Sequence, residues 1–280
     1  MHAFLRAHPE VFMPAVKEVH FFGSDIRGLP YEINSAQYAN LFRGAEIKQC
    51  VGATCAMALY SMRAAEEIRR ESPQTKIVIL LRDPVEMMYA FHSELVFQEM
   101  EPVRDFEKAV LMENDRKLGR NLPATGLPAS IIFYRDMASY AEQVARYFRN
   151  FPREQVHVIL FDDFQQDLPA VYRRLLEFLG VDPAFRPEFS TINPNKRVRS
   201  FYLRRLLKQP DPWTKVLGRI LLPSTGLRQR VRGAIERWNV GFVPRSPMGE
   251  RFRQRLNAEL APDIVRLSQM LQRDLGSWNH

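Results

Sequence analysis

The stretch Lys76–Ser93, KIVILLRDPVEMMYAFHS, limits what this chain can fold into more than any other. Behind Lys76 come the apolar residues Ile77 to Leu81, with no polar alternation. Such a run suits a strand buried on both faces, as in a parallel sheet covered by helices. It breaks at Arg82-Asp83-Pro84, where Pro84 fits the first helical position and Asp83 the N-cap. Arg82 is therefore expected at the carboxyl end of a central strand, beside a helix N-terminus, where open α/β sheets bind ligands. A guanidinium there, next to free backbone N–H groups, suits phosphate or sulfate. The competing reading is a salt-bridging arginine in a strand-to-helix turn.

Charge narrows the ligand class. The 280 residues carry a net +8, and only eight of the 40 basic residues are lysine. An Arg-rich surplus favours an anionic ligand held by forked contacts. Nucleic acid would also satisfy it, but no helix-turn-helix, zinc or RNA-recognition signature is present, so nucleic acid is not expected as a partner. Cys50 and Cys55 make no disulfide framework and lack a metal-site spacing with histidines, which predicts a reducing, cytoplasmic compartment and no metal. No apolar run reaches the length of a membrane span, and MHAFLRAHPEVF has no secretory hydrophobic region.

Along the chain, residues 1–9 read as the tail of a helix and Val16–Phe22 as a short strand broken by Gly23-Ser24-Asp25. Helices are expected at 34–46, 56–71, 84–98 and 104–119, then a Gly- and Pro-bearing loop and a short apolar segment, Ile131–Tyr134. An amphipathic helix at 138–150 precedes a second buried strand, Gln155–Phe161, and the acidic turn Asp162-Asp163. Pro169 opens a helix that Gly180 stops. Residues 183–200 read as a loop, basic at its end; 201–246 as helical and basic, interrupted by prolines; and 250–275 as the last helix. Strand-helix pairs of this kind imply a layered α/β architecture.

Four segments together resemble the sulfotransferases that use 3′-phosphoadenosine 5′-phosphosulfate (PAPS), especially the branch similar to heparan-sulfate O-sulfotransferases and their bacterial relatives. HPEVFMPAVKEVHFF looks like that family's KE-x-HFF segment, and KIVILLRDPVEMMYAFHS like its 3′-phosphate-binding strand and helix. VILFDDFQQDLPAVYRRLLEFLGV is similar to its strand, acidic turn and helix. NPNKRVRS is similar to the basic loop that closes over the nucleotide, and RDLGSW to the usual ending. The resemblance implies a P-loop-NTPase-like parallel sheet flanked by helices, in one domain over 1–280 with a basic helical insertion at about 201–246.

It also implies roles. Sulfuryl transfer, like phosphoryl transfer, needs an in-line hydroxyl, a base for its proton and cations on the leaving phosphate. Glu18 would be the base, its pKa raised by desolvation among Val16, Val19 and Phe21. Lys17 would tune it or hold a sulfuryl oxygen, and His20, one strand repeat away on the same face, would orient the acceptor. Arg82 would bind the 3′-phosphate. Ala90 stands where the family has Ser, so Ser93, a turn further on, is the substitute ligand. Lys196, Arg197, Arg199 and Ser200 match the basic loop. Without the resemblance, Lys17, Glu18 and His20 read as the solvated side of an edge strand, Ser93 as an ordinary helix serine and the basic run as a solvated face.

Two departures stand out. Gly52-Ala53-Thr54-Cys55 occupies the position of a Gly-Glu-x-Ser segment, so Ala53 and Cys55 replace a carboxylate and a hydroxyl. Met1–Pro9 aligns just after the family's phosphosulfate loop, which predicts an N-terminally shortened chain without the first strand and loop, and hence an exposed strand edge. The functional expectation is transfer of a sulfuryl group from PAPS to a hydroxyl or amine of a carbohydrate or small metabolite. The alternatives are an inactive homologue that binds nucleotide or a partner, and a basic module contacting nucleic acid or a membrane surface through 201–246.

Overall fold

The structure, a computed structural model, describes residues 1–29, 32–46, 49–124, 127–189, 196–198, 226, 231, 233–234, 240–242 and 247–279. The chain forms two compact units, one of Met1–Val96, Met100–Phe189 and Gly249–His280, the other of Phe97–Glu99 and Ser190–Met248. Four strands of the first unit make two parallel pairs: β1 (Val11–Phe12) with β2 (Cys50–Val51), and β3 (Ile77–Leu81) with β4 (Val156–Leu160). Ile77 lies opposite Val156 and Leu81 opposite Leu160. The two apolar runs therefore pair in parallel, as their lack of alternation predicts.

A parallel pair needs a crossover, and helices supply it. Before β3 lie α1 (His2–Arg6), α2 (Ser35–Asn40), α3 (Met57–Tyr60) and α4 (Ala64–Glu71). Between β3 and β4 come α5 (Pro84–Phe97), α6 (Phe106–Leu111), α7 (Glu113–Lys117), α8 (Tyr134–Ala138) and α9 (Tyr140–Asn150). A buried ion pair pins this crossover: Arg116 donates to both oxygens of Glu101 at 2.7 and 2.8 Å, and the Tyr134 hydroxyl donates to the same carboxylate at 2.8 Å. After β4 follow α10 (Phe161–Gln166), α11 (Leu168–Leu179) and α12 (Glu250–Leu271). Gly180 ends α11 in the left-handed region at φ 79°, where a side chain would be strained.

Ile77, Ile79 and Leu81 bury one face of β3. The other face is less covered than the sequence suggests, because Leu80 stays 43% exposed and no third strand joins the pair among the described residues. On β4, Ile159 packs with Tyr172, Leu175 and Leu176 of α11 and with Phe4 and Leu5 of α1, and the Tyr172 hydroxyl donates to the Phe4 carbonyl at 3.0 Å. The acidic turn Asp162-Asp163 is the first turn of α10, where carboxylates suit the helix dipole. It anchors the C-terminus: Trp278 Nε1 donates to Asp162 at 2.6 Å, and Arg273 donates to both oxygens of Asp163 at 2.9 and 3.0 Å.

Several expected elements differ. Val16–Phe22 is not a strand; only His20 makes an isolated bridge, to Glu32, and the rest is loop. The expected helix at 56–71 is split into α3 and α4, because the Ser61 hydroxyl accepts from the Ala64 N–H at 3.0 Å and donates to Asp25. The helix at 34–46 ends at Asn40, that at 104–119 is divided at Met112, and the last ends at Leu271. In the second unit, Lys196–Val198, expected as loop, forms β5 and pairs antiparallel with β6 (Val240–Phe242), expected as helix. Each is only three residues long and their pairing is non-local, so no local period announces it. Apart from 226, 231, 233–234 and 240–242, the basic segment 201–246 lies outside the described residues.

Candidate active site

The loop Lys17–Asp25 is tied down at several points. The Val19 N–H donates to the Thr54 carbonyl at 3.2 Å, and the Ala56 N–H donates to Glu18 Oε2 at 2.8 Å. Glu18 has φ 54°, a left-handed conformation costly for a side chain this long, and such outliers collect where the surrounding structure imposes a geometry. The thiol of Cys55 lies 3.2 Å from His20 Nδ1. Farther along, Glu67 on α4 accepts from the Gly23 N–H at 2.7 Å and from the Ser24 N–H and hydroxyl, while Asp25 accepts from the Met62 N–H at 2.9 Å. A strand would have satisfied its backbone by pairing; this segment satisfies it against α3 and α4.

Glu18 and His20 thus meet the Thr54–Ala56 segment, though not by strand alternation. Glu18 is exposed, so the desolvation expected for its carboxylate does not occur. Burial pulls the His20 imidazole below its ordinary value, against the neighbouring Glu18 and Glu32 carboxylates. Burial pushes the Cys55 thiol up to about 11. Lys17 is exposed, and its charge adds to burial in lowering the Met1 amine and the His2 imidazole. Just beyond His20, Phe21, Phe22, Ser24, Arg63, Glu67 and Arg70 line a cavity of about 270 Å³. That is room for one ring-sized group. Phe21 stacks on Tyr38 of α2 at 4.2 Å between centroids.

A second cluster forms where β3 and β4 end. Arg82 follows Leu81 directly, its guanidinium 5.1 Å from the centre of the Phe161 ring and 3.3 Å from Glu86. Both earlier readings of Arg82 hold in part: it lies at the carboxyl end of the strand, and it makes a salt bridge. The N–H groups of α5 are not all free, since the Glu86 N–H donates to Asp83 Oδ1 at 2.9 Å. Arg253 of α12 also donates to Glu86, so two arginines share one carboxylate. Arg82, partly exposed at a strand terminus, has the forked guanidinium that suits a phosphate. Ser93 is one helical stretch away, with its hydroxyl donating to the Tyr89 carbonyl at 2.8 Å. Lys196 and Arg197 belong to β5 in the second unit, and Arg199 and Ser200 lie outside the described residues.

A family model for the sulfotransferase family matches residues 55–186, which include β3, Arg82, α5 and β4. The crystal structure of a sulfotransferase from Alicyclobacillus acidocaldarius is similar over 99% of this chain and 92% of that one, with a TM-score of 0.72 and 26% identity. Both likenesses support a sulfotransferase family for this chain. Its fold is the P-loop-like sulfotransferase fold, and the protein is a transferase. The sulfotransferase domain from the curacin biosynthetic pathway aligns over 55% of this chain and 45% of that one at 16% identity, with a TM-score of 0.32, too slight a likeness to carry an argument. No curated protein matches the sequence.

The site has features that no local pattern announced. Arg253 and Glu86 meet across 167 positions, and the tie between Cys55 and His20 spans 35. Only the unusual GATC sequence marked its second half beforehand. Among the described residues no helix is long and apolar enough to cross a membrane, and no group of His, Cys, Asp and Glu side chains could hold a metal ion.

Proposed function

We propose that this sulfotransferase moves a sulfuryl group from PAPS to a hydroxyl or amine of a carbohydrate or small metabolite, with Glu18 as the base. The observation that carries this reading is the docking of loop 17–20 onto Thr54–Ala56, which holds Glu18 and His20 against one segment directly before the cavity-lining Phe21 and Phe22. One Glu18 oxygen is held by the Ala56 N–H; Oε1 has no hydrogen-bond partner among the described residues and can take the acceptor's proton. The acceptor oxygen attacks sulfur in line while the bond to the leaving phosphate breaks. PAPS, when bound, supplies the sulfuryl group and leaves as adenosine 3′,5′-bisphosphate. Arg82, seated on Phe161, would hold the 3′-phosphate, with Ser93, farther along α5, as the proposed second ligand. Lys17 would face a sulfuryl oxygen, and Lys196, Arg197, Arg199 and Ser200 would close over the nucleotide. Unbridged Cys50 and Cys55 support a reducing, cytoplasmic setting.

The test is transfer of labelled sulfate from PAPS to a panel of glycans and phenols, by wild type and Glu18→Gln. The variant should lose about 10²–10⁴-fold in turnover, the usual loss of a general base, with nucleotide binding unchanged. Turnover indifferent to Glu18→Gln removes Glu18 from the mechanism. Bisphosphate binding without transfer to any acceptor would favour a binding homologue instead.

A further inference from the structure

We propose that Cys55 is a positioning residue for His20, holding the imidazole as the tautomer with its proton on Nε2, so that His20 offers the cleft a hydrogen-bond donor and leaves proton removal to Glu18. The catalytic consequence rests on the function proposed above; the tautomer is a property of the free protein.

The geometry decides which group donates across the 3.2 Å between Sγ and Nδ1. The Met57 and Ala58 N–H groups, which favour the thiolate from the start of α3, offer the sulfur's proton no acceptor, whereas Nδ1 does. That proton is left to point at the ring. Burial keeps the thiol protonated, since its value is pushed up to about 11. A neutral imidazole whose Nδ1 accepts a hydrogen bond must carry its proton on Nε2. Burial favours the neutral ring, outweighing the Glu18 and Glu32 carboxylates that face it. The Tyr38 and Tyr147 hydroxyls near the sulfur are held protonated by their own burial, so they add no charge.

The rest of His20 is already fixed. Its carbonyl accepts from the Ile33 N–H at 3.2 Å, which leaves the ring as the movable part. Cys55 is the ring's hydrogen-bond partner, and Nε2 has none among the described residues. A donor held there, two residues from the Glu18 carboxylate, suits an acceptor oxygen whose proton Glu18 removes. The two side chains thereby divide the work: one accepts the proton and the other orients the oxygen.

Nitrogen-15 NMR of the histidines in the free protein tests this, with His20→Gln identifying the resonance among six histidines. Wild type and Cys55→Ser should show the Nε2–H tautomer. Cys55→Ala should show mixed tautomers and a higher His20 pKa, because a bond donated to Nδ1 stabilises only the neutral ring. In the transfer assay Cys55→Ala should lose about fivefold to tenfold in kcat, the worth of one hydrogen bond, and Cys55→Ser should recover it. A wild-type Nδ1–H tautomer, or a Cys55→Ala spectrum like wild type, overturns the proposal. So does a shifted tautomer with full Cys55→Ala turnover. The expected tautomers in a protein that transfers no sulfate would refute the sulfotransfer reading and uphold the Cys55–His20 tie.

Discussion

Replacing Arg116 by Met should destabilise the fold by about 3–5 kcal/mol, the cost of stranding one member of a buried ion pair. Both side chains of the Arg116–Glu101 pair are fully buried, at 0% exposure. Without the guanidinium, Glu101 would keep only the Tyr134 hydroxyl at 2.8 Å and the Val103 N–H at 2.9 Å, and no opposing charge on its own oxygens. Unfolding entropy of about 2.1 cal/mol/K per residue gives roughly 0.6 kcal/mol/K for a chain of this length, so the melting temperature should fall by about 5–8 °C. Calorimetry with matched denaturant titration reads both quantities. The double variant Arg116→Met, Glu101→Leu should recover most of the loss, because an apolar pair leaves no buried charge. A single variant within about 1 kcal/mol of wild type, or a double variant worse than the single, refutes the reasoning. The pair matters beyond stability because it braces the crossover between β3 and β4, whose carboxyl ends carry Arg82 and Phe161.

Arg82→Ala should weaken adenosine 3′,5′-bisphosphate binding about tenfold to a hundredfold, the range for a hydrogen bond to a charged group, read as a smaller ligand-induced rise in melting temperature. Equal stabilisation of variant and wild type removes Arg82 from the phosphate site. Burial alone would raise Asp25 and Glu67, but hydrogen bonds from Ser61 and Met62 to Asp25, and from Ser24 and Gly23 to Glu67, outweigh it and hold both carboxyls below their ordinary values. Their stabilisation is therefore present above their unfolded values, about pH 4, and lost as pH falls through the folded ones. Asp25→Asn combined with Glu67→Gln should flatten that acid slope between about pH 4 and pH 2, and identical stability–pH curves would count against it. Gly23→Ala should cost about 1–2 kcal/mol in denaturant unfolding, because φ is +95° and the new Cβ would meet Ser61 Oγ at 3.1 Å. An unchanged midpoint would show that the loop adjusts freely.

The strand-helix units were legible because their signals are local. Ile77–Leu81 and Val156–Leu160 are apolar without alternation, Asp83-Pro84 starts a helix and Gly180 stops one; each depends on neighbours a few residues away. Loop 16–22 misled for the same reason. Its charged residues sit among apolar neighbours as they would on a short strand, but the partners Thr54, Cys55 and Ala56 that hold Val19, His20 and Glu18 lie 35 or more positions along the chain. No window of sequence contains them.

The residue types of the site were therefore available in advance, and their partnerships were not. Sequence by itself determined that an arginine would stand where a buried strand meets a helix, and that a Lys-x₀-Glu-x-His cluster would precede two phenylalanines. Tertiary structure decided that Arg82 shares Glu86 with Arg253, that Glu18 turns left-handed onto the Ala56 N–H, and that Cys55 faces His20. The physical reason is that propensity, capping and hydrophobic period act within a turn or two of chain, whereas side-chain hydrogen bonds and ion pairs form wherever packing brings distant segments within about 3 Å.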